Sequence, residues 1–532
     1  MTKNKILLLA TLILPAMTFA AGKTVYDVKA YGAVDSPVEY STGAIQKAID
    51  AASEAGGGQV HVPAGTYLIS PIQLKSDVEL YLAQGALLLG TTDRSRYDIP
   101  KDKNMNKAGE RGLVWSSGAK NISIKGKGSI DGQGEGVATN AGKLIAEGSL
   151  ADGNAAAVKK RYEEAGHFRA EWPRPEEGNR PMLIALYDSE NVALDGIQIK
   201  NSASWTTTLW RCRNVVLSNL TVVSVNFWNN DGINLMDCKD AVIRGCNVNS
   251  ADDGICLKSH DYDQRCENIT IEQCTIRSSA SAIKFGTASK GGFRNVTIRD
   301  IRVRDTFRSA IALEAVDGGD MDNVKISNIK AVNTWNAIFI VAGTRDTRNR
   351  VSAVRNITIE NVTCQVPATQ PDLDYPFATK RKLSNNLYPS LITGSPSSTI
   401  ENVSIKNLKV TFAGGGTTAK ASSSVDDLDR IMDGRYNRYP EYDMFGELPA
   451  WGMLCRNING LRLENVQFVL QAEDYRTPVV IDNVQKVMIK NLKVAGERKT
   501  PVVLRRSTIK SVKGIVSPDN SGNSGGKMYE IF

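Results

Sequence analysis

The sequence predicts an all-β fold, a right-handed single-stranded parallel β-helix, and three observations point to it. Each coil has a short phrase that alternates apolar and polar residues over about five positions and is rich in Val, Ile and Thr, as a strand is. The repeat of roughly 25 residues is too short for a strand plus a helix, so each coil holds two or three short strands that pair with the neighbouring coils. The phrase is built around Asn, or an equivalent residue, which recurs at positions 191, 214, 240, 268, 295, 323 and 356.

The first segment of the chain has the features of a secretory signal peptide. Lys3 and Lys5 precede an apolar run, and Thr18-Phe19-Ala20 fits a small-residue cleavage site. We therefore expect residues 1–20 to be removed and the protein to be exported to the periplasm or secreted. Residues 21–532 are expected to form a single β-helix domain. No later stretch is long enough to be a membrane anchor, so no membrane insertion is expected.

A helix is predicted at 41–58, before the first coils. It ends at Gly56–Gly58. Because open sheet edges invite aggregation, we expect this helix to cap the N-terminal mouth of the solenoid. Its apolar face carries Ala44, Ile45, Ala48, Ile49 and Ala52.

Two stretches break the repeat. Residues 132–180, the first excursion, are rich in Gly, Ala and charged residues, and residues 413–450, the second excursion, contain many Ser, Asp and Tyr. Both are predicted to be long loop insertions. In a solenoid such insertions gather on one face and often wall a binding cleft.

Side chains at equivalent positions are expected to stack from coil to coil. Asn at the same bend predicts a ladder of side-chain amides. Of the eight Cys, the pairs 238 and 266, and 246 and 274, recur in this way. Disulfides are the alternative in an exported protein, but the repeat favours buried, free thiols. Metal-type C-x-x-C spacing is absent, and neither a metal nor a cofactor is expected.

The formal net charge is +8, and the basic residues are spread along the chain. This distribution indicates a mixed soluble surface, or mild attraction to an acidic polymer. An exported protein with no nucleic-acid motif is not expected to bind nucleic acid.

Three carboxylates near the middle of the chain are the candidate catalytic residues. Asp231 precedes Asp252 and Asp253 by about one coil, so the three should lie on adjacent coils, about 4.8 Å apart along the axis. Carboxylates this close raise one another's pKa, which suits general acid–base chemistry such as inverting glycoside hydrolysis. The alternative is that Asp252-Asp253-Gly254 only caps a bend.

The chain resembles glycoside hydrolase family 28, the polygalacturonases and their relatives. YDVKAYGAVD at 26, SIDGQG at 129 and YPEYDMFGELPAWGMLCRNING at 439 are similar to phrases of that family. Its N-x-D-G motif appears as Asn229-Asn230-Asp231-Gly232, and its D-D motif as Asp252-Asp253-Gly254. The resemblance covers nearly the whole mature chain and implies a right-handed parallel β-helix.

The resemblance also implies a reaction, which is inverting hydrolysis of α-galacturonide bonds in pectic polysaccharides. Asp252 would be the general acid, Asp231 and Asp253 would hold and activate water, and Asn229 would shape the site. The expected partner is an acidic plant polysaccharide or oligosaccharide, and a monomer is expected.

Two motifs of the family are missing here. Ser281 stands about where the His of a G-H-G segment is expected, and Ile311, Ala312 and Leu313 replace an R-I-K segment that binds the substrate carboxylate. This puts the sugar in doubt more than the reaction type.

Other side chains are candidate substitutes for the missing substrate contacts. Lys258, Lys284 and Arg308 would meet an anionic sugar. Glu314 would bind sugar hydroxyls, and Trp205 would stack on a ring. A solvated outer face is the alternative for Lys258 and for Arg308, and it is favoured for each taken singly. A core position is the alternative for Trp205.

Two other functions fit parts of the pattern. A β-helix polysaccharide lyase or epimerase would use the clustered Asp to bind Ca²⁺, and a non-catalytic carbohydrate-binding β-helix would explain the missing His. Like charges packed together without a use argue against the second of these.

Overall fold

The computed structural model describes residues 24–97, 112–168, 173–375, 385–494, 501–516 and 529–531. The predicted signal peptide, 1–20, lies outside the described residues, so export stays a prediction. The described residues form a right-handed parallel β-helix, which confirms the predicted fold. Each strand pairs in parallel with the strand one coil further along the chain, and such connections are right-handed.

The described residues contain 34 strands and four α-helices. The helices are α1 (Thr42–Glu54), α2 (Gly134–Ala146), α3 (Ala155–Ala165) and α4 (Leu428–Met432). The strands are β1 (Val25–Asp27), β2 (Ser36–Tyr40), β3 (Gly58–Val62), β4 (Gly65–Ile69), β5 (Ile72–Gln73), β6 (Val78–Leu82), β7 (Ala86–Gly90), β8 (Gly112–Ser117), β9 (Lys120–Gly126), β10 (Ser129–Asp131), β11 (Met182–Tyr187), β12 (Glu190–Asp195), β13 (Gln198–Lys200), β14 (Thr207–Trp210), β15 (Arg213–Ser218), β16 (Thr221–Ser224), β17 (Ile233–Met236), β18 (Lys239–Arg244), β19 (Asn247–Ser250), β20 (Ile255–Ser259), β21 (Cys266–Glu272), β22 (Thr275–Ser278), β23 (Ile283–Ser289), β24 (Gly292–Ala315), β25 (Asp320–Ala342), β26 (Ala353–Val366), β27 (Ser390–Gly394), β28 (Thr399–Phe412), β29 (Ala450–Leu470), β30 (Thr477–Gln485), β31 (Val487–Val494), β32 (Val502–Arg505), β33 (Ile509–Val516) and β34 (Tyr529–Ile531).

Three strands per coil give the solenoid three faces. One face, called here the site face, contains β8, β11, β14, β17, β20 and β23 in order, and it continues through parts of β24 and β25 into β27, β29, β30 and β32. From β24 onward, several long strands bend around the corners and serve more than one face.

Side chains alternate inward and outward along each strand of the site face, as pleated strands require. Ile233 and Leu235 point inward and stack on Ile255 and Leu257 of the next coil. All four are completely buried in one core that runs the length of the solenoid. The residues between them face outward, and this outer row carries the candidate site.

The predicted amide ladder is confirmed at the bends. Asn191 donates to Asn121 of the preceding coil, Asn295 donates to Asn268, and Asn323 donates to Asn295, over 2.7 to 3.0 Å. These residues have a left-handed φ near +55°, which Asn tolerates better than most residues do.

The predicted state of the cysteines is also confirmed. All eight are free and buried. Cys238 and Cys266 lie one coil apart, as do Cys246 and Cys274, because the residues that follow them, Lys239 and Glu267 in one pair and Asn247 and Thr275 in the other, are partners in adjacent coils.

Helix α1 forms as predicted. Ile45, Ala48, Ile49 and Ala52 are its buried residues, and they belong to the main core. Its role as a cap stays a prediction. In the described part of the chain, no helix is long and apolar enough to cross a membrane.

Both excursions lie outside the repeating strands and contain helices. The first excursion contains α2 and α3, and Ala138 and Val158 of these helices pack with Phe168 and Phe227. The second excursion contains α4 and folds back onto the outer row of the site face. There Ile431 and Phe445 pack with Phe339, Leu391 and Leu454.

Candidate active site

Asp231, Asp253 and Ser281 occupy the same turn of three successive coils, just before β17, β20 and β23. The Gly232 N–H donates to the Asp253 carbonyl over 2.9 Å, and the Gly254 N–H donates to the Ser281 carbonyl over 2.8 Å. These bonds continue the register of the strands. The prediction that the three Asp lie on adjacent coils and on one face is therefore confirmed.

The glycine after each of these Asp is required by close packing. A Cβ on Gly232 would lie 2.3 Å from Val248 Cγ1, and a Cβ on Gly254 would lie 2.4 Å from Ile276 Cγ2. Turn formation alone, which was the alternative for these Asp-Gly pairs, does not explain the glycines. They let the two coils approach closely where the carboxylates are held.

Asp231 is buried and paired with Lys258. Its Oδ2 lies 3.1 Å from Lys258 Nζ. Burial raises the pKa of Asp231 to about 7; Lys258 opposes this rise, and Asp252 and Asp253 add to it. Burial is the largest effect on Lys258 and lowers its pKa, but the charges of Asp231, Cys256 and Asp253 together raise that pKa well above its usual value.

Asp252 is the most accessible of the three carboxyl groups. It is half-buried, whereas Asp231 and Asp253 are almost fully buried. The Asn229 N–H donates to its Oδ2 over 2.9 Å, and the Asp253 N–H donates to its Oδ1 over 3.0 Å. Burial raises the pKa of Asp252, and the Asp253 charge raises it further.

Asp253 is held from the next coil. The Ser281 N–H donates to its Oδ1 over 3.1 Å, and Lys284 Nζ lies 3.6 Å from its Oδ2. Ser281 thus contacts the site through its backbone. Its buried Oγ has no hydrogen-bond partner, so the hydroxyl does not take over the contacts of a histidine in this arrangement.

A carboxylate oxygen of Asp231, one of Asp253 and the Cys256 Sγ lie within 4.8 Å of one another. One water molecule can bridge two oxygens at this separation, since each of its hydrogen bonds spans about 2.7 Å. A hard cation such as Ca²⁺ prefers oxygen ligands only, and Cys256 does not suit it. The ammonium groups of Lys258 and Lys284 also already face the two carboxylates. The geometry therefore favours a held water over a metal.

Lys284 is completely buried and is surrounded by carboxylates. Besides Asp253, it lies 2.9 Å from Glu441 Oε1 and 3.5 Å from Glu314 Oε1. Burial raises the pKa of Glu314 well above its usual range, although Lys284 opposes the rise. The side chains of Lys284 and Glu314 are not exposed, so a sugar does not contact them in this arrangement.

The expectation that Lys258 and Arg308 lie on a solvated outer face is wrong. The Lys258 side chain is 10 % exposed and lies against Asp231, with its Nζ 5.0 Å from the centroid of the half-buried Trp205 ring. Arg308 Nη1 donates to Glu441 Oε1 over 2.5 Å. The reason is that the outer row of these coils is covered by the second excursion and by neighbouring side chains.

Asn229 joins the first excursion to the site. Its backbone has a φ of 95°, and its Oδ1 accepts hydrogen bonds from Arg174 Nη2 over 2.7 Å and from Arg180 Nη2 over 3.0 Å. Its N–H is the group that holds Asp252. Asn229, a predicted site residue, therefore contacts Asp252 through its backbone.

The segment that replaces R-I-K belongs to the core. Ile311 and Leu313 point inward and stack on Ile283 and Phe285. Ala312 points outward beneath the second excursion. None of the three offers a polar group to a sugar.

Four neighbours of the site were not predicted: Cys256, Glu441, Arg174 and Arg180. The alternation along β20, with Ile255 and Leu257 inward, would have placed Cys256 on the outer row. The other three belong to the excursions, where no repeat sets a register, so no signal in the sequence places them.

Known proteins resemble this chain over most of these elements. The model of Glycosyl hydrolases family 28 matches residues 53–373. A probable polygalacturonase of Vitis vinifera is 27 % identical over 294 residues, which are 51 % of this chain and 53 % of that protein. An exo-poly-alpha-D-galacturonosidase of Dickeya chrysanthemi is 25 % identical over 408 residues, which are 66 % of this chain and 65 % of that protein. These matches span between half and two thirds of the two relatives.

A solved structure supports the fold. The family 28 exopolygalacturonase of Yersinia enterocolitica superposes with a TM-score of 0.51 at 18 % identity, over 93 % of this chain and 78 % of that one. The family match covers more than half of the chain and includes Asp231, Asp252 and Asp253 and the strands that follow them. The chain belongs to glycosyl hydrolase family 28.

Proposed function

We propose that this protein is an inverting glycoside hydrolase that cleaves α-linked galacturonic acid bonds, or related uronic acid or rhamnogalacturonan bonds, in pectic polysaccharides. One observation carries the proposal. Asp252 is the accessible carboxyl of the three, while Asp231 and Asp253 lie close enough to hold one water molecule. Inverting hydrolysis needs one carboxylic acid that protonates the leaving oxygen and a second carboxylate that activates a water molecule.

Asp252 is assigned as the general acid. Burial and the Asp253 charge raise its pKa, which favours the protonated form that can donate to a leaving glycosidic oxygen. Two backbone N–H groups fix its position.

Asp231 and Asp253 are assigned to the water. The ionised member accepts the proton of the attacking water, while the neighbouring lysines limit the cost of the buried charge. Water attacks the face of the sugar opposite to the leaving group, so the anomeric configuration inverts.

The second excursion supports attack from one end of the polymer. Its residues Ile431 and Phe445 cover the outer row of the site face beyond Lys284, so a sugar chain cannot continue along the face in that direction. We infer that the protein releases short products from a chain end.

An NMR time course on pectic polysaccharides and oligosaccharides tests the proposal. New β-anomer from an α-linked uronide, released as short products from the start, is the expected result. Asp252→Asn should lower the rate at least about 100-fold, since general acid catalysis contributes typically 10² to 10⁴.

Asp240→Asn is the matched control. Asp240 lies between the same two coils and accepts from Asn268, as Asn can too, so its activity should match the wild type. Signals of a 4,5-unsaturated sugar would instead show a lyase, and retention of the α-anomer would exclude inversion. No new reducing end on any substrate would favour a binding protein.

A further inference from the structure

The second excursion places a carboxylate of the protein on the two cations that would bind a uronate. Glu441 Oε1 lies 2.9 Å from Lys284 Nζ and 2.5 Å from Arg308 Nη1. A uronic acid bound beside Asp253 would need its carboxylate in this same place. Glu441 therefore occupies the position that a charged substrate group would take.

The charges beside Asp253 are balanced without any substrate. Lys284 and Arg308 carry two positive charges, and Asp253 and Glu441 offer two negative ones. Glu314 is completely buried, with no hydrogen bond to either carboxyl oxygen, and burial raises its pKa, which favours its neutral form. An added carboxylate would give this buried cluster an uncompensated negative charge, which is costly in a low dielectric.

The exposed groups next to Asp253 carry almost no net charge, because a carboxylate and a guanidinium pair there. The Lys284 side chain is not exposed, the Glu441 side chain is 11 % exposed and the Arg308 side chain is 25 % exposed, and the two exposed groups neutralise each other. Tyr439 lies at the rim and is well exposed, with the Lys284 ammonium 5.6 Å from its ring centroid. An exposed aromatic face beside a neutral polar pair suits the apolar face of a sugar ring.

We infer that the subsite formed by Glu441, Arg308 and Tyr439 accepts an uncharged sugar unit, either a neutral sugar or an esterified uronate. The inference rests on the proposed function, because it concerns the sugar on one side of the bond that Asp252 would cleave. It makes Glu441 a specificity-determining residue supplied by the second excursion.

Hydrolysis rates on three oligosaccharides test this inference. They are an unesterified oligogalacturonide, its methyl ester, and an oligosaccharide in which galacturonate alternates with rhamnose. The wild type should cleave at least one of the last two with a kcat/KM about 10-fold or more above that of the unesterified compound. Faster cleavage of the methyl ester would indicate an esterified uronate in the subsite, and faster cleavage of the rhamnose compound would indicate a neutral sugar.

Glu441→Gln removes one negative charge from the cluster around Lys284 and Arg308. It leaves Lys284 and Arg308 with one positive charge in excess, which a uronate carboxylate can neutralise. We expect the preference for the uncharged unit to fall about 10-fold. Glu447→Gln is the matched control in the same excursion; Glu447 binds Asn386 and Tyr475 away from the site, and its variant should keep the wild-type preference.

A wild type that prefers the unesterified compound would overturn the inference while the proposed function stands. It would mean that Glu441 moves aside and presents both cations to the substrate. The wild-type ratio needs no variant, so the test holds even if Glu441→Gln does not fold.

Absence of hydrolysis on all three compounds would reject the proposed function instead. Calorimetric binding to Asp252→Asn then still decides the inference. Tighter binding of an uncharged compound supports it, whereas tighter binding of the charged one, or no binding of any, overturns it.

Discussion

The two excursions bring oppositely charged side chains to the candidate site. The first brings Arg174 and Arg180 to the amide oxygen of Asn229, next to the N–H that holds Asp252. The second brings Glu441 to Lys284 and Arg308, next to Asp253. The coils thus set where the three carboxyl groups of the candidate site lie, and the excursions contribute charged groups around them.

The excursions are also anchored by different means. The first packs on a small apolar cluster around Phe168 and Phe227. The second packs on a much larger apolar cluster and is tied to the site face by a buried guanidinium, that of Arg456. A wall that carries a carboxylate among buried cations needs a firm position, because small displacements change buried charge interactions strongly.

Removing the anchor of the second excursion should have the largest effect. Arg456 Nη1 donates to the Leu428 carbonyl over 2.7 Å, and the same guanidinium pairs with Asp433 and with the fully buried Asp482. Arg456→Met removes one cationic partner of Asp482, which keeps Arg505 and Arg506, and it also removes the hydrogen bond to Leu428, so the free energy of unfolding should fall by about 3 kcal/mol. Chemical denaturation measures this.

Arg430→Met is the control for that change. Arg430 lies on α4 and is well exposed, and among the residues that the structure describes it pairs with Asp427 across one helical turn and with no other carboxylate. Loss of this ion pair should lower the free energy of unfolding by less than about 1 kcal/mol. Equal effects of the two variants would contradict the anchoring role of Arg456.

Removing the inner arginine of the first excursion should act on catalysis. Arg180 is fully buried and donates to the carbonyls of Pro175 and Ala203 as well as to Asn229. Arg180→Met should let Asn229 and Asp252 shift, and a displacement near 1 Å costs on the order of 100-fold in rate. We expect kcat to fall while KM changes little.

Arg180→Lys separates positioning from stability. Lysine keeps a positive charge and part of the hydrogen bonding, so it should recover a part of kcat. A loss in Arg180→Met that follows only the fraction of folded protein, measured by circular dichroism, would argue against a positioning role.

The pH dependence should show the smallest effect. The proposed general acid, Asp252, must be protonated, and burial and the Asp253 charge raise its pKa above the ordinary aspartate value. Its proton is lost as pH rises through that raised pKa. Activity should therefore fall about tenfold per unit of pH on the alkaline limb of a profile of kcat/KM against pH, and the midpoint of that limb should lie above the ordinary aspartate pKa of about 3.9.

Lys258→Met sharpens this prediction. It removes an ammonium that lowers the pKa of Asp252, so the alkaline limb should move to higher pH. Lys239→Met, which removes a more exposed lysine near Glu267, should leave the limb in place. A limb that does not move in Lys258→Met would show that the titration of Asp252 does not set it.

The repeat explains why the coils were predictable. Period-2 alternation and a step of one coil place Asp231 and Asp253 at equivalent turns, and the same rule would have placed Cys256 beside them. The rule fails where the chain leaves the repeat. Glu441 contacts Lys284 across 157 residues, and nothing in a non-repeating segment fixes where it returns.

The same limit explains the error about Lys258 and Arg308. Alternation places both on the outer row, where a solenoid usually meets water. Only the folded excursion shows that this row is covered. The sequence does not predict helices α2 and α3 for a related reason. The Gly and charged residues of the first excursion are typical of a loop, and the packing that stabilises these helices appears only in the folded chain.

The amide ladders have a direction. Each Asn donates toward the preceding coil, and several ladders start at an Asp, which only accepts: Asp77, Asp240, Asp300 and Asp322 receive from Asn121, Asn268, Asn328 and Asn356. A complete coil with Asn at its bend can therefore be inserted or deleted without breaking the pattern on either side. The solenoid can lengthen only in whole steps of about 4.8 Å, which is the spacing of neighbouring coils. Its length therefore changes by whole coils, whereas the excursions, which have no repeat, can change by any number of residues.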